Sequence, residues 1–319
     1  MHSRLLEDES DHPTHPVKSW WFTVSKPRLA IVSGAAISAT IIVIVIIAIT
    51  VDSKALDEDD EDPPGTPLPR KCGQRTAESD WPWTVEIYSM ADGPDWEHTI
   101  ALGTLVNDRY VLSSAYELQK FEDSTLRVLL GETTFVHMVD DSYFENRVFR
   151  EILRKEFIEH DSVGFGTNMV LLQMDKEVKF NGRIQPICLP WVHPEIPQQL
   201  TILPDEKDKL FSSSAHLVDY VDCFEIWFYQ GFEADQESKR LHLCAKQSNS
   251  SEHCYALRGS PLLGVFHDHG KKRFVQYGIK HYGDCAQGLQ IYSNVTHHME
   301  WIREVVTRKD VDEIQNVKS

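Results

Sequence analysis

The chain has no cysteine before position 72, no dense run of Lys and Arg, and no internal repeat. With 32 basic against 49 acidic side chains and a formal charge of −17, it lacks the footprint of a phosphate-neutralising surface, which excludes nucleic acid as a partner. No motif calls for a cofactor, and none of the His and Cys spacings is assigned to a metal. His267 and His269 flank Asp268, but they read as polar residues of a turn. Helical periodicity is scarce as well. Apart from one long apolar run, only the stretch from Thr296 through Val306 reads as a helix, with His297 and His298 as surface residues at its start.

That apolar run decides the topology. Leu29 to Val51 is 23 residues without a charge, enough to cross a hydrocarbon core about 30 Å thick. Lys18, Lys26 and Arg28 precede it, and Asp52 and the acidic run Asp57 to Asp62 follow it. The positive-inside rule therefore places residues 1–28 in the cytoplasm and the rest outside. The expectation is a single-pass type II protein held in the bilayer by residues 29–51, with the plasma membrane as default. All six cysteines (72, 188, 223, 244, 254 and 285) then face an oxidising compartment, and their even count favours disulfides.

Four further segments follow. Residues 1–28 are a disordered tail, 52–71 an acidic and proline-rich stalk, 72–306 the folded domain and 307–319 a C-terminal tail. Within the domain, short apolar stretches recur between turn signals, including WTVEIY (83–88), LRVLLG (126–131) and NMVLLQM (168–174). Their β-branched and aromatic content argues strands. PLLGVF (261–266) and RFVQYGI (273–279) read as a hairpin around HDHGKK. Asn249-Ser-Ser and Asn294-Val-Thr are glycosylation sequons, with Asn249 in the more open setting.

Seven landmarks occur in order: WPW (81–83), LGTLVNDRYVLSSAYEL (102–118), TNMVLLQM (167–174), QPICLP (185–190), HLCA (242–245), GIKHYGDC (278–285) and IYSNVTHHMEWI (291–302). With CYALRGSPL (254–262), they resemble the trypsin-like, chymotrypsin-fold serine proteases. The resemblance implies an all-β domain of two six-stranded antiparallel barrels with a C-terminal helix, here preceded by a single transmembrane helix. It also implies three disulfides: Cys72 with Cys188, Cys223 with Cys244, and Cys254 with Cys285.

The same resemblance locates the family's catalytic positions, and none holds the expected residue. Tyr116 stands at the histidine, Asn168 at the aspartate and Arg258 at the serine. A phenol with a pKa near about 10 is a poor base at neutral pH, and an arginine has no nucleophilic oxygen. Leu257 replaces the aspartate that receives the activated amino terminus, and Ala256 the glycine of the oxyanion hole. GQRTAESD (73–80) offers no such terminus, and Ser260 reads as structural. Ala101 and Glu117 stand where a disulfide flanks the catalytic histidine. Glu252 aligns with the floor of the specificity pocket, and the expectation is that Arg258 bends in to pair with it. Together these imply an inactive homologue that binds an extracellular protein, such as an active protease or its substrate. The alternatives are a residual hydrolase with unfamiliar groups, or a membrane anchor signalling through its tail.

Overall fold

The computed structural model describes residues 68–90, 99–131, 147–158, 168–191, 193–206, 209–223, 236–248, 257–284 and 287–308. All belong to one compact unit spanning residues 60–319. The expected tail, membrane span and most of the stalk lie outside the described residues. Among the described residues no helix is long and apolar enough to cross a membrane.

Six strands close the first barrel: β1 (Thr84–Ser89), β2 (Thr99–Leu105), β3 (Tyr110–Ser114), β4 (Leu126–Leu130), β5 (Val148–Phe157) and β6 (Met169–Met174). Their order around the barrel is β1-β2-β3-β6-β5-β4, every pair antiparallel. The second barrel uses β7 (Gln199–Ile202), β8 (Ser213–Leu217), β9 (His242–Gln247), β10 (Pro261–Asp268), β11 (Lys271–Asp284) and β12 (Leu289–Asn294), in the order β8-β9-β12-β11-β10-β7. Closure leaves no edge strand unpaired, which suits chains rich in Val, Leu and Ile. The expected pair of six-stranded barrels is therefore present.

Among the described residues three helices accompany the strands: α1 (Ala115–Leu118), α2 (Gln236–Leu241) and α3 (Met299–Thr307). Pattern had identified only the last, because α1 and α2 are too short to show a period. The terminal helix also starts later than expected, after a 3-10 turn over Val295–His298. Asn294 Oδ1 caps that turn by accepting from the Thr296 amide at 3.1 Å. His297 is exposed as expected, whereas His298 is buried, because the 3-10 turn rotates it inward. In α3, Ile302, Val305 and Val306 face the core.

The β10–β11 hairpin is tighter than the sequence spacing suggested. Asp268 pairs with Lys271, leaving only His269 and Gly270 as the connection. Both have positive φ, 47° and 78°, as a two-residue turn matched to strand twist requires.

One apolar cluster fills the first barrel around Val85, Leu105, Val128 and Leu172. A second runs from Trp81, Trp83 and Leu112 across to Leu263, Phe274, Ile279 and the α3 residues Ile302 and Val305, joining both barrels to the terminal helix. Thr104 Oγ1 on β2 donates to Gln276 Oε1 on β11 at 2.6 Å, a buried polar tie inside this seam. The seam fixes where the two barrels meet, and the candidate site lies along it.

Candidate functional site

Tyr116, Asn168 and Arg258 come from three separate places in the chain and converge. β3 runs straight into α1, whose single turn carries Tyr116 and Glu117. Ser114 pairs with Met169 across the β3–β6 ladder, which sets the adjacent Asn168 beside the start of α1. The Ala115 amide donates to the Asn168 carbonyl at 3.3 Å, tightening that junction. Arg258 precedes β10 in a loop pressed against β2, where its carbonyl accepts from the Leu102 amide at 2.9 Å.

The glycine after Arg258 makes this approach possible. Gly259 has φ +87°, and a Cβ there would lie 1.8 Å from the Leu102 carbonyl oxygen. Only glycine tolerates both conditions. Gly259 also donates to the Lys280 carbonyl at 3.1 Å, and Ser260 to that of Leu257 at 3.1 Å. Ser260 is 1% exposed and faces inward, which agrees with its reading as structural.

The Arg258 side chain lies across the site. Its guanidinium forms an ion pair with Glu117, and its Nε donates to the His281 carbonyl at 3.3 Å. The guanidinium carbon sits 4.7 Å from the centre of the Tyr116 ring and 5.1 Å from that of Tyr282. Those two rings meet edge to face at 5.9 Å. Lys120 closes the acidic side, 2.7 Å from Glu117 and 4.8 Å from the Tyr116 ring. Burial and the neighbouring Tyr116 push the Tyr282 phenol up to about 12, so it stays neutral at physiological pH.

Asn168 takes no part in that ion pair. Its Nδ2 donates to Ser114 Oγ at 2.7 Å and lies 3.0 Å from His281 Nδ1. An amide nitrogen can only donate, so this contact assigns His281 Nδ1 as the acceptor. His281 is 2% exposed, with the His242 ring 6.1 Å away. Burial, then His242, then Arg258 lower its pKa to about 3, keeping the imidazole neutral over the ordinary range. A histidine thus reaches Asn168 from β11, not from α1.

Glu117, His281 and Tyr282 were not assigned this role from sequence. Glu117 had been read only as a missing cysteine, and GIKHYGDC only as a landmark of the second barrel. The signal in reach was the Tyr-Glu pair of α1 combined with the His-Tyr pair of β11. The expected Arg258–Glu252 pairing falls outside the described residues, because Glu252 does, and the acid that the structure places on Arg258 is Glu117. Asn249, Cys254, Ala256 and Cys285 also fall outside. Leu257, the neighbour of Arg258, is half-buried. Asn294, read as a sequon, has its Nδ2 engaged with the Arg240 carbonyl at 3.0 Å.

Among the described residues two of the expected disulfides are present, Cys72 with Cys188 and Cys223 with Cys244, while the expected Cys254–Cys285 pair lies outside them. The first ties the chain entering the domain to the segment that precedes β7. Gly73 donates to the Pro186 carbonyl at 2.8 Å and accepts from the Phe274 amide at 2.7 Å. Leu68 packs on the shared core, and Arg273 donates to the Arg70 carbonyl at 2.9 Å. The last residues of the expected stalk, 68–71, are therefore fastened to the domain, because the disulfide at Cys72 holds them against Arg273.

Two closed six-stranded antiparallel barrels and a terminal helix define a chymotrypsin-type architecture. A family model described as Trypsin matches residues 71–302, more than half of the chain, and the chain belongs to that family. It is similar to the "Complement C1r subcomponent-like protein" of Mus musculus, with 24% identity over 223 residues, covering 65% of this chain and 45% of that protein. The chain spans about half the length of that curated relative.

Proposed function

We propose that this trypsin-family chain performs no peptide hydrolysis and serves as a membrane-displayed binding module. The observation that carries the reading is Arg258. By the family resemblance it stands at the nucleophile position, and its side chain is engaged by Glu117, the His281 carbonyl and two tyrosine rings. A side chain with no nucleophilic oxygen thus stands where attack would have to begin. In a subtilisin series, removing such a triad costs on the order of 10⁶ in turnover, about 8 to 9 kcal/mol of barrier.

The buried imidazole does not supply a substitute. His281 touches Asn168, and Asn168 touches Ser114, but these three side chains are buried and His281 is a weak base at neutral pH. A general base needs both access to the proton it takes and a pKa near the working pH. In this reading residues 29–51 span the membrane and the double barrel stands outside, where its partner is an extracellular protein such as an active protease or its substrate.

The test is turnover and active-site labelling by the purified full chain, using ester substrates with Arg, Lys and aromatic side chains and a fluorophosphonate probe. The expected result is no signal above the heat-denatured chain. Inhibitor-sensitive turnover that disappears in Arg258→Ala or Tyr116→Phe would overturn the proposal in favour of a residual hydrolase.

A further inference from the structure

We infer that Tyr116, Glu117 and Tyr282 form a guanidinium-binding cage that Arg258 fills from within the same chain, and that its external ligand is an arginine side chain on a protein partner. The inference rests on the reading of this cleft as a binding site and names what it takes. Three features of the cage match guanidinium chemistry. The two phenol rings lie 4.7 and 5.1 Å from the guanidinium carbon, within the range of cation–π attraction. The Glu117 carboxylate meets one terminal nitrogen, and the His281 carbonyl meets Nε at 3.3 Å. A flat fork of donors satisfies both acceptors while its face lies over a ring, which a compact ammonium does less well.

Three substitutions relative to the family pattern built this cage together. Tyrosine at the histidine position supplies one wall. Glutamate at the lost cysteine supplies the charge, and arginine at the serine supplies the occupant. The occupant is exchangeable, because the Arg258 side chain is 33% exposed and its ion pair is shared with Lys120. A partly exposed pair of this kind contributes little to folding. A tethered side chain competes at an effective concentration on the order of millimolar. An isolated ligand therefore displaces it poorly, whereas an arginine presented on a partner with further contacts can succeed. The acidity of the chain, formally −17, favours approach of a basic segment.

The experiment uses the full chain and methylguanidinium as probe, with methylammonium as the comparison cation, read by calorimetry and thermal shift. Arg258→Ala removes the arginine from the cage and leaves Lys120 at its acidic side. It should bind methylguanidinium saturably at millimolar concentration, at least about tenfold tighter than either the native chain or methylammonium allows. Adding Glu117→Gln to Arg258→Ala should weaken that binding about tenfold. A folded Arg258→Ala chain that does not distinguish the two cations, or a double variant that binds equally well, overturns the cage. Should Arg258→Ala not fold, modification by phenylglyoxal gives the answer on the native sequence. Arg258 should react about tenfold faster in Glu117→Gln than in the native chain, and equal rates overturn the proposal. Turnover measured on the same samples separates the two readings. Binding accompanied by turnover removes only the inactive reading, and neither binding nor turnover removes only the cage.

Discussion

The region where Cys72 meets Cys188 and the candidate site at the barrel seam both have backbones fixed by hydrogen bonds, but they treat their side chains differently. On the strapped side, residues 72–75 are tied down by a disulfide, by two backbone hydrogen bonds to Pro186 and Phe274, and by Arg75 lying 4.0 Å over the Trp81 ring and 4.8 Å over that of Phe274. The disulfide there is the one that the family resemblance implied. In the cleft the ladder still sets Asn168 beside α1, and Gly259 still lets its loop lie against β2. The groups gathered there are a cation, its carboxylate and two phenols. Packing constrains a strand through many apolar contacts at once, whereas a triad is three polar side chains on an already formed seam. The second can be replaced without disturbing the first.

The contrast can be broken most forcefully on the strapped side. Changing both Cys72 and Cys188 to serine opens a loop spanning 116 residues and should cost about 4 to 5 kcal/mol. Removing Cys223 and Cys244, only 21 residues apart, should cost about 3 kcal/mol. Urea denaturation of the native chain and the two variants measures both, and equal losses would refute the account.

Acid attacks the cleft instead. An imidazole whose folded pKa is about 3, below its unfolded value near 6.5, takes up its proton less readily when folded. Its contribution is intact above pH 6.5 and declines as pH falls toward 3. Each pH unit inside that window removes about 1.4 kcal/mol, or about 2 to 3 kcal/mol over two units. His281→Gln should flatten this limb of a stability–pH curve, and an unchanged slope would locate the acid sensitivity elsewhere.

A third change probes how the cleft manages without the disulfide of Ala101 and Glu117. Lys155 on β5 reaches the Leu118 carbonyl at 3.1 Å, the Phe121 carbonyl and the Asp123 carboxylate at 3.2 Å, holding the segment after α1 from below. Its side chain is buried, so Lys155→Ala should cost about 2 to 3 kcal/mol and speed amide exchange over residues 115–121. Exchange that rises uniformly across the first barrel would show a general loss of stability and no local clamp. The smallest effect belongs to Asn294. Asn294→Gln should remove the cap on Thr296 for about 1 kcal/mol and leave glycoprotein mass unchanged, while Asn249→Gln should lower it.

Much of the fold was legible because strands buried on a barrel wall need Val, Leu and Ile at short, repeated intervals, as in β3, β4 and β6. Both observed disulfides were implied by the family resemblance and not by the cysteine pattern alone. The hairpin at His269-Gly270 was placed correctly but drawn too wide, since residues with strand-compatible side chains, Lys271 and Lys272, extend β11 to the turn. The helices α1 and α2 escaped notice because one or two turns show no period.

Through its family resemblance the sequence matched Tyr116, Asn168 and Arg258 to the three catalytic positions, and so carried the expectation that they lie near one another. It could do so because those positions are anchored by neighbours, Ser114 in β3, Met169 in β6 and Gly259 before β10, whose places are set by apolar burial and backbone geometry. Only the tertiary structure decided whom each side chain touches. Glu117, 141 residues away in sequence, holds Arg258, and a histidine from β11 holds Asn168. A long polar side chain at a barrel seam can reach several partners. Which one it takes depends on distances that chain order does not contain.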